Sequence, residues 1–328
     1  MKAIVQERYG PPSELRYADV DTPVPAADEV LVRVHAAGVN AADWHVLRGD
    51  PKLARLTVAG FGLRGPKQRI RGSDFAGVVE FAGRAVTDLK PGDQVYGSAA
   101  GAFAEYACAK AAAVAHMPAG LTFEQAAALP LAAATALGGL RDLAAARPGQ
   151  RLLINGASGG VGMFAVQLGK AFGLHVTGVC SARNAELVTG VGADAVIDYT
   201  RDDFTRTRTR YDIVFDLVAN RSLTALRRTV TPKGTLILAG GGVYTGGSLV
   251  GPMGLVISGL LAGRLGSQRV LLLSGEPNRE RLDAVREHVE AGELSPVIER
   301  TYPLERAPDA IAHLETEHAR AKIVLSCR

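Results

Sequence analysis

The chain has 328 residues, enough for about two domains at roughly 150 residues each. Hydrophobic residues make up 47% and charged residues 21%, which excludes a disordered chain and a mini-scaffold that needs staples. Lys and Arg number 37 against 33 Asp and Glu, a net charge of +4, which is too weak to argue for nucleic acid and is compatible with an anionic ligand.

In chain order, the first third carries short strand signals. Ala3–Gln6, Glu29–His35 and Gly77–Phe81 place β-branched residues at near-alternate positions, separated by Gly10-Pro11-Pro12, Pro23-Val24-Pro25 and Lys90-Pro91-Gly92-Asp93. This predicts a small, mostly β domain. Between them, Lys52, Arg55, Arg64, Lys67, Arg69 and Arg71 mark a long basic connection, read as a solvated surface loop. Ala-rich helical patterns follow at Thr122–Leu129, with Thr122 and Gln125 as a weak capping box, and at Ala134–Ala145, with Pro130 separating the two.

The period then changes to alternating strand and helix. Strands are predicted at Arg151–Asn155, His175–Val179, Ala195–Asp198, Asp212–Asp216 and Thr235–Ala239; helices at Gly160–Phe172, Asn184–Val191 and Ser222–Val230. That alternation implies a parallel, doubly wound α/β sheet. Leu249–Gly263, the most apolar stretch, has 15 residues with four glycines and Pro252, too short and too broken for a span of about 20 residues. The chain closes with helix Arg279–Ala291, strand Val297–Tyr302, helix Ala307–Glu317 and strand Lys322–Ser326.

Cys108, Cys180 and Cys327 form neither a disulfide framework nor a CxxC pair, and Met1–Glu7 has no apolar signal core. Both fit a reducing compartment, and a cytoplasmic protein is expected.

The strand Arg151–Asn155 runs into Gly156-Ala157-Ser158-Gly159-Gly160-Val161-Gly162 and then a helix. Gly156, Gly159 and Gly162 make a variant dinucleotide fingerprint in its required strand–turn–helix context. Glycines there permit a tight turn and let backbone N–H groups approach a pyrophosphate at a helix N-terminus. An acidic residue ending the second strand would select NAD, but here Val179-Cys180-Ser181-Ala182-Arg183 follows, with no carboxylate before Glu186. Ser181 and Arg183 can donate to a 2′-phosphate, so NADPH is the expected cofactor. The bland alternative leaves Arg183 on the surface at the start of a helix.

Several segments together resemble the medium-chain dehydrogenase/reductase superfamily, in its zinc-free quinone oxidoreductase and enoyl reductase branch. They are Ala37-Gly38-Val39-Asn40-Ala41-Ala42-Asp43, Gly72-Ser73-Asp74-Phe75-Ala76-Gly77, Pro91-Gly92-Asp93-Gln94-Val95-Tyr96-Gly97, Gly156–Gly162, Gly192–Tyr199 and His318-Ala319-Arg320-Ala321-Lys322. The usual glycine before the final lysine is Ala321 here. The resemblance implies a GroES-like catalytic domain, placed at 1–121 and 272–328, and a Rossmann cofactor domain at 122–271. Zinc-dependent relatives carry Cys where Asn40 stands and His-Glu where Ser73-Asp74 stand, so no metal is expected. The resemblance also implies that Thr135 lies near the nicotinamide or phosphates, Ser158, Gly160 and Val161 at the pyrophosphate, and Tyr199 at the adenosine end. Leu217, Gly240 and Gly241 end strands where ligands sit, and His318 and Arg320 close over the cofactor. A homodimer pairing through the cofactor-domain sheet is implied as well.

A zinc-free site suits an electron-poor acceptor: a double bond conjugated to a carbonyl, or a quinone. The enolate formed by hydride addition needs hydrogen-bond donors and a proton. Asn40 is the candidate donor to substrate or nicotinamide ribose, Asp43 an orienting group, Trp44 a pocket wall and His45 the proton donor. Against these stand plainer readings: Asp43 caps a short helix, His45 points to solvent, water gives the proton, Tyr96 is core, Asp74 is structural, and Arg320 makes an exposed salt bridge. The expected substrate is small and hydrophobic, an enone or a quinone. A non-catalytic NADPH-binding protein is the rival of another class, and nucleic-acid binding by the 52–71 connection has weak support.

Overall fold

The structure is a computed structural model. It describes the chain except residues 59, 241–245, 252–253, 256–257, 260–266, 274–276, 317–319 and 328, and the side chain of Thr57. Two compact units emerge: Met1–Ala134 with Gly246–Leu249 and Glu276–Arg328, and Thr135–Thr245 with Val250–Gly275.

The first unit contains β1 (Lys2–Val5), β2 (Arg16–Asp19), β3 (Glu29–Val39), α1 (Ala41–Arg48), α2 (Ala54–Thr57), β4 (Asp74–Ala82), β5 (Gln94–Ser98), β6 (Tyr106–Lys110), β7 (Val114–His116) and α3 (Phe123–Ala127). Among the described residues β3 is the central strand of its sheet. Its first half pairs with β6, its whole length with β4, and its last residues with the C-terminal strand. Burial along β3 alternates at first and becomes continuous from Ala36 onward, as expected where one face of a strand opens to solvent and the rest is covered. Tyr96, Phe75, Phe103 and Ile4 are fully buried in this unit, and Tyr96 Oη donates to Leu282 O at 2.5 Å, the core role read for it above.

Thr122 caps α3 as its spacing predicts: its Oγ1 accepts from Gln125 N at 3.3 Å, and Gln125 Oε1 accepts from Thr122 N at 3.0 Å. The following helix differs from expectation. A break does fall before Pro130, after α3 ends at Ala127, but Pro130 itself opens α4 (Pro130–Leu137), four residues earlier than expected, and α4 continues as a wider π turn over Gly138–Leu143. A first-turn proline loses no hydrogen bond, because that N–H has no intrahelical partner. The basic connection is also less solvated than read: Arg71 is buried, and Arg55 donates to Gly49 O at 2.8 Å while covering the Tyr9 ring at 4.3 Å.

The second unit contains β8 (Arg151–Asn155), α5 (Gly160–Ala171), β9 (His175–Cys180), α6 (Ala185–Gly190), β10 (Ala195–Asp198), β11 (Tyr211–Asp216), α7 (Leu223–Thr229), β12 (Val230–Leu238) and β13 (Arg269–Leu272). These strands are parallel in the order β10-β9-β8-β11-β12-β13, so the order reverses between β8 and β11. In such a sheet ligands bind beyond the carboxyl ends of the strands at that reversal. Leu153, Val179, Val214, Leu226 and Leu236 form the core under the sheet. In the apolar, Gly-rich stretch Tyr244–Leu273, residues 244–245, 252–253, 256–257 and 260–266 lie outside the described residues. The chain closes in the first unit with α8 (Arg279–Glu290), β14 (Ile298–Pro303), α9 (Ala307–Thr316) and β15 (Lys322–Ser326).

Candidate functional site

In the first unit three neighbouring strand ends converge. β15 lies beside β3 with Ile323 opposite Val39, and β4 lies beside β3 with Asp74 opposite Gly38. Gly38 is required here, since a Cβ would sit 2.3 Å from Ala127 O. Immediately past β3, Asn40 caps α1 with extended backbone, and its N–H donates to Asp43 Oδ2 at 2.8 Å. Asp43 thus does cap the short helix. Lys322 Nζ, at the start of β15, donates to Asn40 Oδ1 at 2.5 Å and Val39 O at 3.0 Å. Asp74 Oδ2 accepts from Leu131 N at 3.0 Å at the start of α4.

All of these groups are buried, as is Arg71. Burial pushes the Asp43 carboxyl up to about 6, opposed by the Arg71 guanidinium and the Asn40 N–H. Burial also raises Asp74, opposed by Lys322, and lowers Lys322, opposed by Asp74 and Asp43. Two cations and two carboxyls therefore share one buried cluster, where each ion is tolerable only because of the others. Asn40 and Asp43 were visible as a three-residue spacing. Lys322, Asp74 and Arg71 carry no site signal in the sequence beyond a charged residue opening or preceding an otherwise apolar strand.

Trp44 is buried and stacks on His45, ring centroids 3.6 Å apart at 27°. His45 is half-buried, with Nδ1 2.9 Å from Asp50 O. A carbonyl only accepts, so Nδ1 carries a hydrogen, and Nε2 can give up a proton only from the imidazolium.

In the second unit, Gly156 holds φ 92°, and Gly162 packs so closely that a Cβ would lie 2.2 Å from Gly156 O. At Gly159, the N-cap of α5, a Cβ would meet only Gly156 O at 3.5 Å, and no side chain caps the helix. The first-turn N–H groups at Gly160, Val161 and Gly162 have no intrahelical acceptor, and a glycine-lined turn at an uncapped helix N-terminus fits a phosphate. Ser158 Oγ accepts from the buried Asn184 Nδ2 at 3.1 Å, a partner that went unnoticed in the sequence. Beyond β9, Ser181 is half-buried and Arg183 exposed. Asp198 ends β10 opposite Cys180, but its carboxylate is committed to Thr200 N at 3.0 Å and Thr200 Oγ1 at 2.8 Å.

The other expected residues are more scattered. Thr135 lies within α4. Tyr199 is exposed, its N–H donating to Cys180 O at 3.2 Å. Leu217 N donates to Asn155 O at 3.1 Å, and Gly240 packs against it, where a Cβ would lie 2.6 Å from Leu217 C. Arg320 is paired with Glu299 in the first unit, N to Oε2 at 2.6 Å and Nε to Oε1 at 3.1 Å. Gly241 and His318 lie outside the described residues.

Residues 26–119 match the alcohol dehydrogenase GroES-like domain, and residues 191–325 the zinc-binding dehydrogenase family. The chain is 35% identical to the mitochondrial NAD(P)H oxidoreductase RTN4IP1 of Mus musculus over 367 residues, covering 99% of this chain and 89% of that one. The chain belongs to the medium-chain dehydrogenase/reductase superfamily. Within it, the relatives point to the quinone oxidoreductase branch. The NADPH-dependent alkenal/one oxidoreductase of Arabidopsis chloroplasts is 32% identical, covering 99% of this chain and 79% of its own. The structure of Escherichia coli quinone oxidoreductase complexed with NADPH aligns with TM-score 0.83 at 26% identity, covering 99% and 100% of the two chains. The protein is an oxidoreductase, and the medium-chain fold of a GroES-like unit and a Rossmann unit is the one seen here. Zinc, named for one matching family, does not fit these residues. An ammonium stands against Asn40 in the buried cluster, and no group of three or more His, Cys, Asp or Glu able to hold a metal occurs among the described residues. No helix among them is long and apolar enough to cross a membrane.

Proposed function

We propose that this medium-chain reductase uses NADPH to reduce a carbon–carbon double bond conjugated to a carbonyl in a small hydrophobic substrate. The observation that supports this reading is the buried polar cluster past β3, in which the Asn40 carboxamide is held by the Lys322 ammonium beside two carboxyls, fixed dipoles of the kind that suit an oxygen gaining negative charge during reduction. Bound NADPH would supply the hydride. The Gly156–Gly162 turn would hold its pyrophosphate, and Ser181 and Arg183 its 2′-phosphate. Thr135, Tyr199, Leu217, Gly240, Gly241, His318 and Arg320 are proposed to line the rest, within a cofactor domain spanning 122–271.

Asn40 would donate to the substrate oxygen, and Asp43 would hold the Asn40 backbone in place. Trp44 would wall the pocket. His45 would give the proton as an imidazolium, with water as the other source. The names of the relatives support a nicotinamide reductase and leave two acceptor classes, so an NADPH:quinone reductase is the second reading.

The test is NADPH oxidation by purified protein with conjugated enones, enoyl thioesters and quinones, with NADH and chelator controls. We expect saturated carbonyl product by mass spectrometry, preference for NADPH, and no effect of chelator. Quinone-only turnover moves the assignment to the second reading. Tight NADPH binding with no turnover favours a non-catalytic role.

A further inference from the structure

Apart from Arg71, the basic connection 52–71 takes no part in the cluster described above. It is nonetheless well fixed to the first unit. Gln6 N donates to Arg69 O at 2.8 Å and Arg71 N to Ile4 O at 2.9 Å, so its end runs beside β1. Tyr9 Oη accepts from Gly62 N at 2.9 Å and donates to Gly62 O at 2.8 Å. Phe61 is buried, its ring 6.5 Å from that of Tyr9, and Lys67 N donates to Gly60 O at 3.0 Å.

On this anchored backbone several apolar side chains face water. Leu56 and Leu63 are each 70% exposed, and Val58 is exposed too. Leu249, also 70% exposed, joins them from a distant part of the chain, its carbonyl accepting from Leu53 N at 3.0 Å. Side chains so open stand out from the surface and line no groove, and their apolar area is left for something else to cover. The charge is one-sided as well. No Asp or Glu occurs between Asp50 and Asp74. Of the six cations, Arg71 is buried, Arg55 covers Tyr9 and Arg69 pairs with Glu7 at 3.0 Å. Lys52, Arg64 and Lys67 are exposed, interleaved along the chain with the leucines.

A protein partner is gripped through aromatic anchors, and the one aromatic residue of this stretch, Phe61, is buried. A nucleic acid would use the cations and leave the leucines in water. An anionic bilayer takes up both, since aliphatic side chains enter the acyl boundary while Lys and Arg meet the headgroups. We propose that the 52–67 loop together with Leu249 is a docking surface for a bilayer containing anionic lipid, with Leu56, Leu63 and Leu249 entering it and Lys52, Arg64 and Lys67 among its headgroups.

The test is sedimentation of the full-length protein with phosphatidylcholine vesicles containing about 30% phosphatidylglycerol, against vesicles of phosphatidylcholine alone. The wild type should bind the anionic vesicles at least about tenfold more tightly, and about 1 M salt should weaken that binding. Leu56→Ser/Leu63→Ser should weaken it at least about tenfold. Lys52→Ala/Arg64→Ala/Lys67→Ala should weaken it at least about 50-fold, at about fivefold per cation. Arg206→Ala/Arg208→Ala/Arg210→Ala removes the same charge from exposed residues of the second unit and should stay within about threefold of wild type. Absence of wild-type binding overturns the proposal. So does a second-unit variant that loses as much as the loop variant, which would make net charge the cause. A leucine variant that binds like wild type also overturns it, leaving a general polyanion surface such as one for nucleic acid.

The substituted side chains are exposed, and melting temperatures within about 2–4 °C of wild type check that the variants fold. Should one not fold, hydrogen exchange of the wild type decides. Amides of residues 56–67 should exchange at least about threefold more slowly on the anionic vesicles, with those of Ala195–Asp198 unchanged. Equal rates in the loop with and without vesicles overturn the proposal. None of these readouts needs turnover, so failure to reduce an enone or a quinone counts against the reductase reading alone.

Discussion

Ala321 holds φ 56° while almost fully buried, immediately before Lys322. A residue with a Cβ in the left-handed region costs about 1–2 kcal/mol. Glycine, the residue the family resemblance leads one to expect here, would remove that cost, offset by about 0.4–1 kcal/mol of extra freedom in the unfolded chain. Ala321→Gly is therefore expected to stabilise the protein by up to about 1 kcal/mol in urea denaturation. A clear loss of stability would mean that packing of the methyl group outweighs the strain. The departure itself was legible in the sequence, but its backbone reason was not. Asn40 and Asp43 were legible because a cap acts over three residues. Lys322 is legible as part of the C-terminal motif, but its contact with Asn40 is not, because the two are 282 residues apart and only the pairing of β15 with β3 brings them together.

At the scale of elements, the β8–α5 turn was the most readable piece, since periodicity, glycine spacing and helix start all fall within about a dozen residues. Its three glycines have different physical duties. Gly156 turns the chain at positive φ, Gly162 allows the helix to touch the turn, and a Cβ at Gly159 would meet, among the described residues, only Gly156 O at 3.5 Å. Two substitutions should thus behave differently. Gly162→Ala forces a Cβ to within 2.2 Å of backbone and must displace the turn, so stability and NADPH affinity both fall, the former by about 2 kcal/mol or more. Gly159→Ala meets nothing closer than 3.5 Å, so its melting temperature should stay within about 2–4 °C of wild type while NADPH binds at least about tenfold more weakly. Calorimetry and fluorescence titration check both, and equal NADPH affinity in Gly159→Ala and wild type would remove the phosphate from this cradle. The misread Pro130 shows the limit of punctuation: proline marks a helix boundary, and only the flanking backbone says on which side the helix lies.

At the scale of the whole molecule, alternation of strand and helix in the sequence implied a parallel sheet, while the strand order follows from crossovers that no local pattern encodes. That order leaves β10 and β13 as the two edges. An edge strand exposes unpaired N–H and C=O groups that another chain can take up unless charge guards it. The β10 edge runs into Asp198-Tyr199-Thr200-Arg201-Asp202-Asp203, a charged flank, whereas β13 continues from Arg269 into the uncharged Val270-Leu271-Leu272-Leu273. Pairing of β13 with its copy would join two sheets into one and bury this unguarded edge, in keeping with the dimer expected from the family. Light scattering should then give twice the mass of the chain at micromolar concentration. Hydrogen exchange should find the amides of Arg269–Leu272 slowed at least about tenfold relative to those of Ala195–Asp198, since only the former gain partners in the dimer. A monomer would exclude this pairing, and a dimer in which the β10 edge is the protected one would place the contact there.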